Sequence, residues 1–154
     1  VGWEEFQAKV EGANELCKLL KSVPKDAAAR FEKRSIRNGV EKILAAARAN
    51  IRPTERPIGD TSEQPFTHEG VLAFSFQTRV KKKPGHVFGD INNNAPHAHL
   101  VEYGHRLVNG KRSIGHVPEH PFMRPAIMQN ADAVGADVLR DMIEAVKKWK
   151  SKNG

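Results

Sequence analysis

Five of the seven histidines fall in one short stretch, at His97, His99, His105, His116 and His120; His68 and His86 lie outside it. Neutral imidazole is the commonest metal ligand, and histidine titrates nearest to physiological pH. On a strand, His97 and His99 would place both rings on one face. His105, His116 or His120 could then complete a site for zinc or a similar ion. The pattern around them does not support this. No His-Glu-x-x-His spacing occurs, and Glu102 and Glu119 are the only acids nearby. His120 precedes a proline, and His116 sits in a glycine-bearing loop segment.

Other chemistries have less to work with. Ser35, Ser62, Ser75 and Ser113 lack a nucleophile-elbow context. No glycine-rich phosphate loop follows a strand. The single cysteine, Cys17, allows neither a disulfide within the chain nor a cysteine-rich zinc site. Its spacing from Val10, Ala13 and Leu20 predicts a small buried apolar residue. The expectation is therefore a protein with no catalytic residues, no cofactor and no metal. A histidine-dependent metalloenzyme is the minor alternative.

The elements that hold this stretch can be read from periodicity. With 154 residues, a single domain over 1–154 is expected, with room for a core that needs no staples. No run approaches the roughly 18 apolar residues of a membrane span. Residues 1–25 carry acids throughout and do not read as a signal peptide. The net charge of +7 keeps nucleic acid among the possible partners.

Residues 1–50 form a predicted helical pair. Trp3, Phe6, Val10, Ala13, Cys17 and Leu20 make one apolar stripe over about 3–22. Val23-Pro24 ends that helix, because a residue before proline avoids the helical region. The second helix runs from about Lys25 to Ala49, with a stripe at Ala28, Phe31, Ser35, Val40, Ile43 and Ala47. Its other face is basic: Arg30, Lys33, Arg34, Arg37, Lys42 and Arg48. That face reads either as a solvated surface or as one turned to a polyanion or a partner.

Residues 51–70 are a proline- and glycine-punctuated loop. Residues 71–120 carry the sheet and hairpins. Leu72, Phe74, Phe76, Thr78 and Val80 alternate with polar residues, the mark of a half-buried strand. Pro84-Gly85 turns the chain into a return strand over about 86–91. A short helix or twisted strand follows at 98–103, and Gly104 is placed to end it. Asn109-Gly110 signals a second hairpin, with Lys111 and Arg112 making its tip basic.

Residues 121–154 form the last helix and tail. Pro125 suits a first helical position. Ile127, Ala131, Val134, Val138, Met142, Val146 and Trp149 form its predicted apolar stripe. The fold class is α+β: a small antiparallel sheet packed against two N-terminal helices and one long C-terminal helix, with a long loop and a protruding hairpin.

Two blocks carry a resemblance. His99-Leu100-Val101-Glu102-Tyr103-Gly104 is followed, after a variable insertion, by Val117-Pro118-x-His120-Pro121-Phe122-Met123-Arg124-Pro125-Ala126. Together they resemble the neck proteins of long-tailed bacteriophages and prophages, also described as head–tail joining, head–tail connector or tail-completion proteins. Ala47 to Pro53 and Gly70-x-Leu72-x-x-Ser75-Phe76 extend the likeness, and only the loop from Thr54 to His68 lies outside it. His105 departs from the small hydroxyl residue usual after the glycine.

The resemblance implies a structural virion protein assembled in the bacterial host cytoplasm. It implies a homo-oligomeric ring in the neck between head connector and tail, partnered by connector and tail proteins, with DNA passing through its channel. It implies no membrane, no cofactor and no active site. Glu102, Tyr103, Gly104, Pro121, Phe122, Arg124 and Pro125 are the motif and assembly candidates, and Lys111 and Arg112 the basic-hairpin candidates. The opposite signs of Glu102 and Arg124 predict an ion pair between them, within a subunit or across the ring. A DNA-binding protein of another kind is the main alternative.

Overall fold

Pro24 divides the first two helices. Its backbone is extended (φ −54°, ψ 140°), and its carbonyl accepts the Ala27 and Ala28 amides at 3.0 Å. Before it lies α1 (Ala13–Lys21), and after it α2 (Lys25–Ala49). The computed structural model of the protein describes residues 13–51, 72–84 and 86–153. The expected first turns of the N-terminal helix, from Trp3, and the loop at 52–70 lie outside the described residues. The other described elements are β1 (Phe76–Lys83), β2 (His86–Asn93), α3 (Ala98–Tyr103), β3 (His105–Asn109), β4 (Arg112–Val117) and α4 (Met123–Asn153).

The architecture is α+β, and among the described residues the strands form two separate antiparallel pairs, β1–β2 and β3–β4. α2 and α4 run antiparallel along each other. Asn38 donates to Asp141 at 3.1 Å, and Lys42 pairs with Asp137 one turn along. Apolar clusters close the two ends of this helix pair. One joins Val23, Ala27 and Val146 with Leu19, Leu20, Phe31 and Trp149. The other joins Leu44, Ala47, Leu72, Phe76, Ala95, Ala98, Phe122 and Ala126. In the second, the Phe76 and Phe122 rings meet edge to face with centroids 5.9 Å apart.

Glycine lets the layers approach. A methyl group on Gly39 would stand 2.8 Å from Val138 Cγ2 and 2.9 Å from Val134 Cγ1, so α2 and α4 meet there without a side chain between them. Gly39→Ala is therefore expected to destabilise, although alanine favours a helix by about 1 kcal/mol over glycine. Overpacking of this kind costs ~1–3 kcal/mol. A thermal melt should show a midpoint a few degrees lower; a rise would mean the valines repack freely.

Several expectations are corrected. Cys17 is exposed, because the buried phase of α1 runs through Leu16, Leu19, Leu20 and Val23. The strand predicted from Leu72 begins at Phe76. Residues 72–74 are helical, which turns Phe74 outward to 86 % exposure while Leu72 stays buried. α4 begins at Met123, two residues before Pro125. Its buried phase at that end passes through Ala126, leaving Ile127 44 % exposed. The segment 98–103 is a helix.

Candidate functional site

The buried carboxylate of Glu102 organises the joint between α3 and α4. Glu102 is the last-but-one residue of α3, and it is 5 % exposed. Its Oε2 accepts the backbone N–H of Phe122 at 2.8 Å and of Met123 at 3.0 Å. Its Oε1 accepts the Arg124 backbone N–H at 3.0 Å and the Arg124 Nε–H at 3.2 Å. These are the orphan donors of a helix N-terminus. Pro121-Phe122 offers no side-chain acceptor, so a carboxylate from a distant residue caps α4. Negative charge is favoured at that end of the helix dipole.

Burial alone would raise the Glu102 pKa, but the hydrogen bonds from Met123, Phe122 and Arg124 outweigh it and hold it below the ordinary glutamate value. Arg124 also donates from Nη2 to the Glu102 carbonyl at 3.0 Å and to Glu119 Oε2 at 2.7 Å. Its guanidinium lies over the Tyr103 ring, 5.2 Å from the centroid. The side-chain bond to Glu119 is the main reason its pKa is raised; desolvation works against it, and the bond and charge of Glu102 add to the rise. The anticipated pair of Glu102 and Arg124 thus meets within one subunit.

Gly104 turns the chain out of this joint with φ 67° and ψ 172°. The β3–β4 hairpin then leaves the body and returns at Val117. His120 closes the return, its amide donating to the Val101 carbonyl at 2.8 Å. At the tip, Asn109 pairs with Arg112, so Gly110-Lys111 is the two-residue loop. Gly110 has φ 58°, and among the described residues no non-glycine residue has a positive φ, as in a type II′ turn. The ladder shifts register between Leu107 and Val108. Lys111 and Arg112 are exposed at the tip.

Among the described residues, seven large apolar side chains are notably exposed. Six of them, all but Phe74, fall on one continuous stretch of chain, the corner that runs from Tyr103 through the β3–β4 hairpin to the first turns of α4: Tyr103 (60 %), Leu107 (41 %), Val108 (60 %), Ile114 (62 %), Ile127 (44 %) and Met128 (70 %). Ile127 and Met128 stand three and four residues beyond Arg124 on α4, so they share its face of the helix. Tyr103 touches Arg124, and the hairpin springs from the next residue. Contiguous exposed apolar surface is the usual mark of an interaction site. Sequence reading placed Ile127 on the buried stripe and passed over Met128. The signal was there: Ala126, Ile127 and Met128 are consecutive and cannot all face one core.

Among the described residues, the histidines are not gathered into a ligand set. Residues 98–103 are helical, with His97 at the N-cap. Positions two apart on a helix do not face each other, so His97 and His99 diverge. His105 and His116 lie on opposite strands at different pairing positions, His105 facing Val117 and His116 facing Arg106. Among the described residues, no group of three potential ligands could hold a metal ion. Pro121 and Pro125 are half-buried on either side of Phe122, which is 2 % exposed.

The family model described as "Bacteriophage HK97-gp10, putative tail-component" matches residues 14–104, more than half of the chain. The matched span ends at the glycine where the hairpin begins. No curated protein and no solved structure matches.

Proposed function

The chain belongs to the HK97-gp10-like family of bacteriophage tail components, and from that premise we propose that it is a structural, non-catalytic subunit of the phage neck. In this reading, copies join head to tail in a ring between head connector and tail, and DNA passes through its centre. The ring completes or joins the tail, and its contacts are with itself and with connector and tail proteins.

One observation carries the reading: the concentration of exposed apolar side chains on the corner built from Tyr103, the β3–β4 hairpin and the first turns of α4. A two-stranded hairpin is marginal by itself in water, and this one leaves Val108 and Ile114 about three-fifths exposed. A neighbour would cover them. A protruding element received by a different surface on the next copy is the geometry of a heterologous, ring-closing contact. Lys111 and Arg112 give that contact a basic rim.

The test separates assembly from folding. Val108→Ser with Ile114→Ser should leave the melting midpoint within about 1–2 °C, since substitutions of exposed side chains change stability little. The same variant should lose ring formation, alone or with connector or tail protein added, by sizing with light scattering and negative-stain imaging. A double variant that assembles as well as the parent would remove the corner from the interface.

A further inference from the structure

We propose that the outer ridge of α2, built on Arg30, Arg34 and Arg37 with Lys33 beside them, is a contact surface for the phosphate backbone of double-stranded DNA. Both flanks of α2 are occupied. On one side Gly39 meets Val134 and Val138 of α4, and on the other Ile36 and Val40 lie under Gly89 of β2. What remains turned outward includes Arg30, Arg34 and Arg37, at the i, i+4, i+7 spacing of a single helical ridge. All three, and Lys33, are exposed.

Residues three and four apart on a helix are neighbours, and like charges there repel. No ion pair among the described residues relieves this repulsion. The salt bridges of the region, Lys42 with Asp137 and Lys81 with Asp90, are made by other side chains. The β1–β2 hairpin adds to the same end of the molecule. Its base packs with Leu44 and Ala47, and Gly89 sits over Ile36 and Val40. Its tip, with exposed Lys82 and Lys83, therefore points toward the N-terminal half of α2. The acids Asp26 and Glu41, four residues before Arg30 and four after Arg37, bound the ridge at its two ends, while Glu32 lies off it.

The chemistry selects the partner. Guanidinium forks suit phosphate oxygens. A protein partner would want an apolar centre, and among the described residues the exposed large apolar side chains lie elsewhere, on the 103–128 corner and at Phe74. A single strand would want aromatic platforms for its bases, and this ridge has none. A linear ridge that is cationic from Arg30 to Arg37 fits a duplex backbone and carries no sequence preference. In the proposed ring such DNA is the passing genome, but the ridge stands on its own residues.

The test uses the isolated full chain with a short fluorescent duplex of arbitrary sequence, titrated from roughly 50 to 200 mM salt. The parent should bind with a steep salt dependence. Arg30→Gln, Arg34→Gln and Arg37→Gln together should weaken binding at least about tenfold at low salt. They should also lower the salt slope by nearly 1 per arginine. The single Arg34→Gln should give about one-third of the slope change, which guards against misfolding of the triple variant. Lys111→Gln with Arg112→Gln, remote on the other hairpin, should leave the slope unchanged. No duplex binding by the parent, an equal slope loss per charge in the hairpin variant, or polyglutamate bound as tightly as the duplex would each overturn the proposal. None of these results depends on ring formation, so the two readings fail separately.

Discussion

Glu102→Ala is expected to lower the melting midpoint by roughly 10 °C. The substitution removes one acceptor group and strands the Phe122, Met123 and Arg124 backbone donors, in a joint where Phe122 itself is 2 % exposed. Unsatisfied buried donors cost ~1–3 kcal/mol each way they are counted, and removing one partner of a buried charge network costs ~3–5 kcal/mol. The Arg124 guanidinium can turn to water and to Glu119, so the lower end, about 3 kcal/mol, is the better figure. At ~2–4 °C per kcal/mol for a chain of this size, that is the shift stated. Glu102→Gln keeps one acceptor oxygen and the shape, and should lose about half as much. Amide exchange should speed up first at 122–124, because those N–H groups lose their acceptor. A midpoint unchanged in the alanine variant would mean that water caps α4 equally well.

The same carboxylate gives stability a pH dependence whose sign follows from its shift. Its folded-state pKa lies below the ordinary value of 4.5. Between the two values the unfolded chain binds the extra proton, so stability rises with pH there. The contribution is complete above the unfolded value and is lost as pH falls through the folded one. In Glu102→Gln this acid-side slope should be shallower than in the parent, while Asp137, lowered mainly by its bond to Lys42, continues to contribute in both. By contrast, the pair of Arg124 with Glu119 joins two partly exposed side chains and adds little to stability. Its effect is to hold Arg124 over Tyr103, at the edge of the exposed corner.

Local chemistry made much of this fold legible. Val23-Pro24 sets the start of α2, and the predicted span 25–49 is the observed one. Pro84-Gly85 and Asn109-Gly110 mark two hairpins that form where expected. Periodicity failed where two phases compete. In α1, Leu16 and Cys17 are adjacent, and the choice between them depends on where α4 lies. Phe74 continued a strand-like alternation, yet its neighbours Leu72 and Ala73 take a helical turn that buries Leu72 against α2. At the start of α4, three consecutive apolar residues allow more than one stripe. The joint was half legible. The opposite charges of Glu102 and Arg124 suggested a pair, but the larger share of the Glu102 hydrogen bonds goes to backbone amides, which sequence does not display. One sign remained readable: a long helix beginning Pro-Phe-Met has no capping side chain of its own, so its cap must come from elsewhere in the chain.

Gly104→Ala should be as damaging as the loss of Glu102, by a different route. Its φ of 67° and ψ of 172° fall in a region used essentially by glycine, and forcing another residue there costs ~1–3 kcal/mol. Space adds to the strain. A Cβ at this position would lie 2.6 Å from the Val117 carbonyl oxygen, 2.9 Å from the Glu119 nitrogen and 3.1 Å from the Pro118 carbonyl carbon. All three are backbone atoms, so no rotamer change relieves the clash, and the return of the hairpin into Pro121-Phe122 must move. A total of about 3 kcal/mol or more follows from the strain and overpacking together. Gly110 is the control. It too has a positive φ, 58°, but nothing stands within 4 Å of a Cβ there, so Gly110→Ala carries only the conformational cost of about 1–2 kcal/mol. Thermal melts of the two variants measure the difference directly. Because Gly104 sets the angle at which the hairpin leaves the joint, its alanine variant should also lose whatever assembly the hairpin supports, whereas Gly110→Ala should keep it. Equal midpoints for the two would show that 117–119 yields without cost, and the hairpin would then be a hinged arm rather than one held at a fixed angle by the joint.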